Sequence, residues 1–148
     1  MRPARAEEAD LLTDLAFRSK AYWGYDEAFM AACRDELAMR ASEVVAHRTT
    51  VAVREGNIVG FATLTGEPPV GELGMLFVEP DAIGQGVGRR LYHHVTAAAR
   101  ELGFTRVTLD ADPYAEPFYL AMGAIRIGLT PSGSISGREL PLLEVSLA

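Results

Sequence analysis

Gly84, Gly86 and Gly88 alternate with Gln85 and Val87, directly after an apolar run and before a long amphipathic one. That pattern can hold phosphate. Glycines let a backbone approach an anion closely, and the free amides that open a helix point at it along the helix dipole. Upstream lies Leu73-Gly74-Met75-Leu76-Phe77-Val78, followed by a break at Pro80 and Asp81. Downstream, Val87, Leu91, Val95, Ala98 and Leu102 recur at helical spacing, with Arg89, Arg90, His93, Arg100 and Glu101 mostly off that stripe. Strand, glycine loop and helix start together predict a phosphorylated cofactor.

Spacing narrows which one. A P-loop ends in Gly-Lys-Ser/Thr, whereas Gly88 is followed by Arg89 and Arg90. The dinucleotide fingerprint G-x-G-x-x-G fits Gly84 and Gly86, but its third glycine falls on Arg89. Val107 to Asp110 does look like a strand ending in a ribose-binding acid, yet the chain lacks room for a full doubly wound sheet.

The surrounding elements follow from periodicity. Met1 to Arg5 reads as a short first strand, and Glu7 to Phe17 as a helix burying Leu11, Leu12, Leu15 and Ala16. Asp26 can cap a second helix that runs to about Met39, with Phe29, Cys33 and Leu37 on one stripe. Val51 to Val53 and Ile58 to Leu64 flank a glycine-bearing turn and predict a hairpin. Glu72 to Val78 is the next strand. Beyond the loop helix come a strand at Arg106 to Ala111 and a short helix beginning near Tyr114 to Glu116, with Pro117 in its first turn. Ala124 to Leu129 and Leu143 to Leu147 read as final strands, joined by a polar loop, Pro131 to Gly137. This order predicts a mixed α/β sandwich in a single domain, residues 1–148.

Composition sets bounds on function. The chain has 148 residues, an ordinary hydrophobic fraction of 49% and a net charge of −6, which argues against nucleic acid as the main partner. Lys20 is the only lysine. Cys33 stands alone, which excludes an internal disulfide and suits a reducing cytosol. No signal peptide, transmembrane run or lipidation motif is visible, so a soluble cytoplasmic domain without a membrane partner is expected. No His/Cys/carboxylate set has metal-ligand spacing, and no metal is expected. The oligomeric state stays open, a homodimer included.

Two motifs carry a resemblance. Ile83-Gly84-Gln85-Gly86-Val87-Gly88 follows the pattern Q/R-x-x-G-x-G/A, and Asp112, Ala115, Phe118, Tyr119 and Gly123 follow N-x-x-A-x-x-F-Y-x-x-x-G. In this order the chain resembles the GNAT superfamily of acetyl-CoA-dependent N-acetyltransferases, most sharply from Glu72 to Gly123. The resemblance implies α/β architecture: a mixed, mostly antiparallel central sheet flanked by helices. It departs at Ile83, which replaces Arg or Gln, and at the cofactor-binding position Asp112, which replaces Asn where an amide would approach the pantetheine arm and can accept but not donate hydrogen bonds. Gln85 or Arg89 could compensate for the first. Asp112 could instead cap the short helix, with Pro113 at its first position.

The resemblance also implies roles. Acetyl-CoA would lay its pantetheine arm against Phe77 and Val78, where the strand leading to the loop diverges from the next. The amides of Gly84, Gln85, Gly86, Val87, Gly88 and Arg89 would wrap its pyrophosphate, beside Ile83. The Val78 amide would stabilise the oxyanion, and Tyr119 would touch the cosubstrate and protonate the leaving thiolate. By its stripe alone, with Ala115, Phe118 and Met122, Tyr119 reads as core. Glu72 has two readings: the base that deprotonates the amine, on the same side of its strand as Leu76 and Val78 unless a bulge intervenes, or a solvated strand-end carboxylate. Tyr22, Trp23 and Tyr25 fall where an acceptor pocket is built, and could equally cover a sheet edge. His93 and His94 read as surface residues and Cys33 as packing. The implied reaction is direct acetyl transfer to a primary amine on a small molecule or peptide, in a ternary complex. A non-catalytic acyl-CoA-binding module of the same fold is the alternative.

Overall fold

A single bulge between Glu72 and Met75 decides the architecture. In the computed structural model, which describes residues 1–147, the chain runs β1 (Arg2–Pro3), a one-turn helix (Ala6–Glu8), α1 (Ala9–Ala21), α2 (Glu27–Leu37) and α3 (Ala41–Ala46). The hairpin β2 (Thr50–Arg54) and β3 (Asn57–Ala62) follows, then β4 (Val70–Glu72) and β5 (Leu76–Val78). A second one-turn helix (Pro80–Ala82) leads into α4 (Val87–Glu101), β6 (Arg106–Asp110), α5 (Glu116–Ala121), β7 (Ile125–Pro131) and β8 (Glu139–Ser146).

The single strand expected over Glu72 to Val78 is two strands in two sheets. β5 closes an antiparallel sheet of order β1-β2-β3-β5, while β4 opens a second, β4-β6-β8-β7, through a parallel pairing with β6. Leu73 still donates to Thr108 O at 2.9 Å, whereas Thr63 donates to Met75 O at 2.9 Å, so the chain changes sheets across Gly74. A Cβ at Gly74 would lie 3.1 Å from Thr63 Oγ1, which holds Met75 N, so a side chain there would crowd the crossing. Past the crossing β5 and β6 are not paired, and a gap opens between them.

The bulge also corrects one alternation. Glu72 faces Thr65, but Leu76 and Val78 face Ala62 and Gly60, a register slip of one residue. Glu72 therefore shares the face of Phe77, opposite Phe61, rather than that of Leu76 and Val78.

Helices cover both faces. Leu12, Leu15 and Ala16 of α1 and Met30, Cys33 and Leu37 of α2 pack with Val51 and Phe61 on one side. On the other, Leu91, Val95 and Ala99 of α4 pack with Ala62, Val107, Leu109 and Leu143. Asp26 caps α2 as expected, its carboxylate accepting from Phe29 N at 2.8 Å. The periodicity missed α3, whose start is a Glu43 carboxylate reaching back to Arg40 N at 2.9 Å. It also understated α1, which continues to Ala21, and β8, which begins at Glu139. None of the helices among the described residues is long and apolar enough to cross a membrane.

Candidate active site

The gap between β5 and β6 is a cleft of about 530 Å³, and most of the chemistry-bearing residues read from the sequence line it. At one end Gly86 caps α4 in the left-handed region, φ 83°, a conformation that other residues adopt only at a cost. The amides of Gly84, Gly86, Val87, Gly88 and Arg89 find no acceptor among the described residues, while Arg90 N already donates to Gly86 O. A row of free donors at the start of a fifteen-residue helix fits a phosphate group. Gln85 does not belong to that row. Its amide donates to Ala82 O, and its side chain is tied to Arg54 and, at 3.0 Å, to Asp81 O. It braces the loop from outside the cleft, so of the two side chains that could compensate for Ile83 only Arg89 reaches the lining. Val87 contributes its amide alone, because its side chain is buried in the core.

Phe77 and Val78 form one wall. Hydrogen bonds to β3 run through Phe77 and Glu79, with Glu79 N on Val59 O at 2.8 Å, so the Val78 amide points away from β3. It donates to Ser19 Oγ at 3.3 Å. Ser19 escaped notice in the sequence, although it continues the α1 stripe of Leu12, Leu15 and Ala16; a hydroxyl on a buried stripe was the available signal.

Tyr119 lines the cleft at 7% exposure, and its hydroxyl has no partner among the described residues. Burial pushes its ionisation well above the ordinary tyrosine range. It is therefore a neutral proton donor at physiological pH. Glu72 is exposed at the cleft wall, with no side-chain partner among the described residues. A second carboxylate, Asp110, lines the same space; burial, then the charge of Glu36, raises its ionisation. Asp110 was noted only as a potential ribose ligand.

Asp112 does more than was expected of it, and elsewhere. The N-cap of α5 is Ala115, with no side-chain cap; Asp112 and Pro113 lie in the turn before it, where Asp112 Oδ1 accepts from Tyr114 N at 2.9 Å. The same carboxylate accepts from Lys20 Nζ at 3.0 Å and from the Tyr25 hydroxyl at 2.9 Å. Tyr25 in turn accepts from Arg138 Nη2 at 2.8 Å. Burial, then the bond to Asp112, pushes the Tyr25 hydroxyl up to about 12, so its proton stays on the Asp112 side.

The three aromatics part company. Trp23 lines the cleft and stacks on Tyr114 at 5.5 Å; Tyr25 stacks on Phe29 at 4.0 Å behind the wall; Tyr22 is exposed. The loop between β7 and β8 closes this end. Ser134 Oγ donates to Glu36, Ser132 Oγ accepts from Ile135 N at 3.1 Å, and Arg138 reaches the lining. His93 and His94 are exposed on α4, and Cys33 is buried at 2%.

Residues 10–124 match the Acetyltransferase (GNAT) family. The peptidyl-lysine N-acetyltransferase YjaB of Salmonella typhimurium is 34% identical over 87 residues, 59% of this chain, and the match spans about half, 55%, of that relative. The GCN5-related N-acetyltransferase from Rhodopseudomonas palustris superposes with a TM-score of 0.83 at 27% identity, over 98% of this chain and 93% of that one. The PaiA N-acetyltransferase from Thermoplasma acidophilum, solved with coenzyme A, gives 0.82 at 18% identity over 98% and 96%, which speaks to the fold. A glycine turn with free amides, a split between two sheets and a tyrosine facing it thus stand on a chain that belongs to the acetyltransferase (GNAT) family.

Proposed function

We propose that this acetyltransferase moves an acetyl group from acetyl-CoA to a primary amine by direct attack, with both substrates held in the cleft between β5 and β6. The observation that carries the reading is one continuous cleft joining the acceptor-less amides of Gly84 and Gly86 to Arg89 to the neutral hydroxyl of Tyr119. When bound, acetyl-CoA supplies an activated acyl group on a sulfur leaving group. The free amides and Arg89 hold its diphosphate. The Val78 amide exchanges Ser19 Oγ for the acyl oxygen and stabilises the negative charge that grows there. Glu72, at the cleft wall, takes the proton that the attacking ammonium must lose, directly or through water. As the new C–N bond forms and the C–S bond breaks, Tyr119 gives its proton to the departing sulfur; the second proton shed by the nitrogen passes to water, and Tyr119 is reprotonated from water.

Release of free thiol from acetyl-CoA in the presence of simple primary amines tests the reading directly. Tyr119→Phe should lower kcat by about 10²- to 10⁴-fold, the usual worth of a positioned general acid, while acetyl-CoA binding measured by calorimetry stays within about 2-fold. A wild-type protein that binds acetyl-CoA yet acylates no amine would leave a binding module. Loss of binding in Tyr119→Phe would make the tyrosine a packing residue.

A further inference from the structure

The cleft has an end that acetyl transfer alone does not explain. Lys20, the only lysine of the chain, and Arg138 both approach the same oxygen, Asp112 Oδ2, at 3.0 and 3.8 Å. All three side chains are largely withdrawn from water, at 15%, 18% and 13% exposure. Two cations share one carboxylate; the other carboxylates that line the cleft, Glu36, Glu72 and Asp110, form no ion pair with either among the described residues. Removing an uncompensated charge from water is costly, so such a charge calls for an anion.

The donors are also underused. Among the described residues, Arg138 spends one N–H on Tyr25 and meets no other hydrogen-bond acceptor, and Lys20 spends one on Asp112. A guanidinium carries five N–H donors and an ammonium three. Both groups are held in direction by aromatic faces: Arg138 lies 4.8 Å from the Phe29 ring centre, and Lys20 lies 5.3 Å from that of Tyr25. The tyrosine hydroxyl accepts from Arg138 and donates to Asp112, which fixes the polarity of the network. Lys20 and Arg138 both line the cleft, whereas Tyr25 braces them from behind.

Glu36, Glu72 and Asp110 also line the cleft and suit an ammonium, while Lys20 and Arg138 bring donors suited to an anion. The diphosphate already has its own donors in the Gly84 to Arg89 turn. We infer that Lys20 and Arg138 form a carboxylate-binding subsite, and that the acceptor is a dipolar amine carrying a free carboxylate, an amino acid or a peptide end. This inference rests on the acetyl-transfer reading and narrows its acceptor class. An acceptor offering only positive charge would meet two cations of its own sign.

The test compares amino acids with their own carboxamides. Glycine, lysine, 4-aminobutanoate and 6-aminohexanoate, each beside its amide, are titrated calorimetrically into the protein loaded with coenzyme A. The same compounds are then assayed for acetylation by thiol release. At least one acid should be bound and acetylated about 10- to 100-fold better than its amide, the usual worth of hydrogen bonds to a charged group. Arg138→Gln should bring that ratio close to one while acetyl-CoA affinity holds. If acids and amides are equal in binding and turnover, the inference fails and the transfer reading stands. If no amine is acetylated yet acids still bind better than amides through Arg138, the transfer reading fails and the subsite stands. If Arg138→Gln instead weakens acetyl-CoA, the cations serve the cosubstrate and the inference is overturned. Should that variant not fold, the wild-type ratio and Lys20→Met decide between the same outcomes.

Discussion

Tyr119 illustrates how burial at one residue becomes a chemical property. Removed from water on an apolar stripe, its phenol resists ionisation, and the neutral form is the one that can donate. The sign follows: a raised value keeps the donor protonated to higher pH, so its loss falls above the ordinary value of about 10. A kcat profile should therefore show no descending limb from this group below about pH 10. A limb near pH 8 that disappears in Tyr119→Phe would remove Tyr119 from the role of acid. The residue could be found from its motif, but the long-range pairs that complete the site could not. Ser19 reaches Val78 N across 59 positions, and Arg138 reaches Tyr25 across 113. No local spacing reports contacts of that length.

The element that matters most is the turn into α4. Gly86 adopts φ 83°, and a Cβ there would meet nothing within 4 Å. Gly86→Ala therefore acts through backbone strain rather than collision, at a cost of about 1–2 kcal/mol. Relief of that strain would rotate the amides that open the helix. Acetyl-CoA affinity should fall by about 10-fold by calorimetry, converting the strain into binding. Urea unfolding without ligand should show only the remainder of that strain, well under about 1.4 kcal/mol, because the loss of about 10-fold in binding takes the larger share. An alanine variant with unchanged affinity would detach the turn from cosubstrate binding. The glycine spacing announced this turn because few other residues tolerate its conformation. β4 and β5 were less legible, since Glu72 to Val78 is an unbroken strand-like run and its bulge is set by partners, Thr63 and Thr108.

At the scale of the whole molecule, the cleft separates two sheets, and a ligand lying in it would join them. Anything that binds only the folded state stabilises it by mass action, by about 2.7 kcal/mol at one hundred times its Kd. For a chain of this size that is a rise in Tm of about 5–10 °C. Acetyl-CoA should produce it in a thermal melt, and NAD should not. Equal shifts with both ligands would return the glycine turn to a general phosphate site. Most of the order of elements (α3 and the β4–β5 break excepted), the glycine turn and the tyrosine motif were determined by sequence alone, because periodicity and glycine conformation are local. Tertiary structure alone decided that one apparent strand serves two sheets, that Gln85 turns outward, and that Lys20, Tyr25, Asp112 and Arg138 meet. Those outcomes depend on register and on long-range partners, and a bulge of one residue changes every face that follows it.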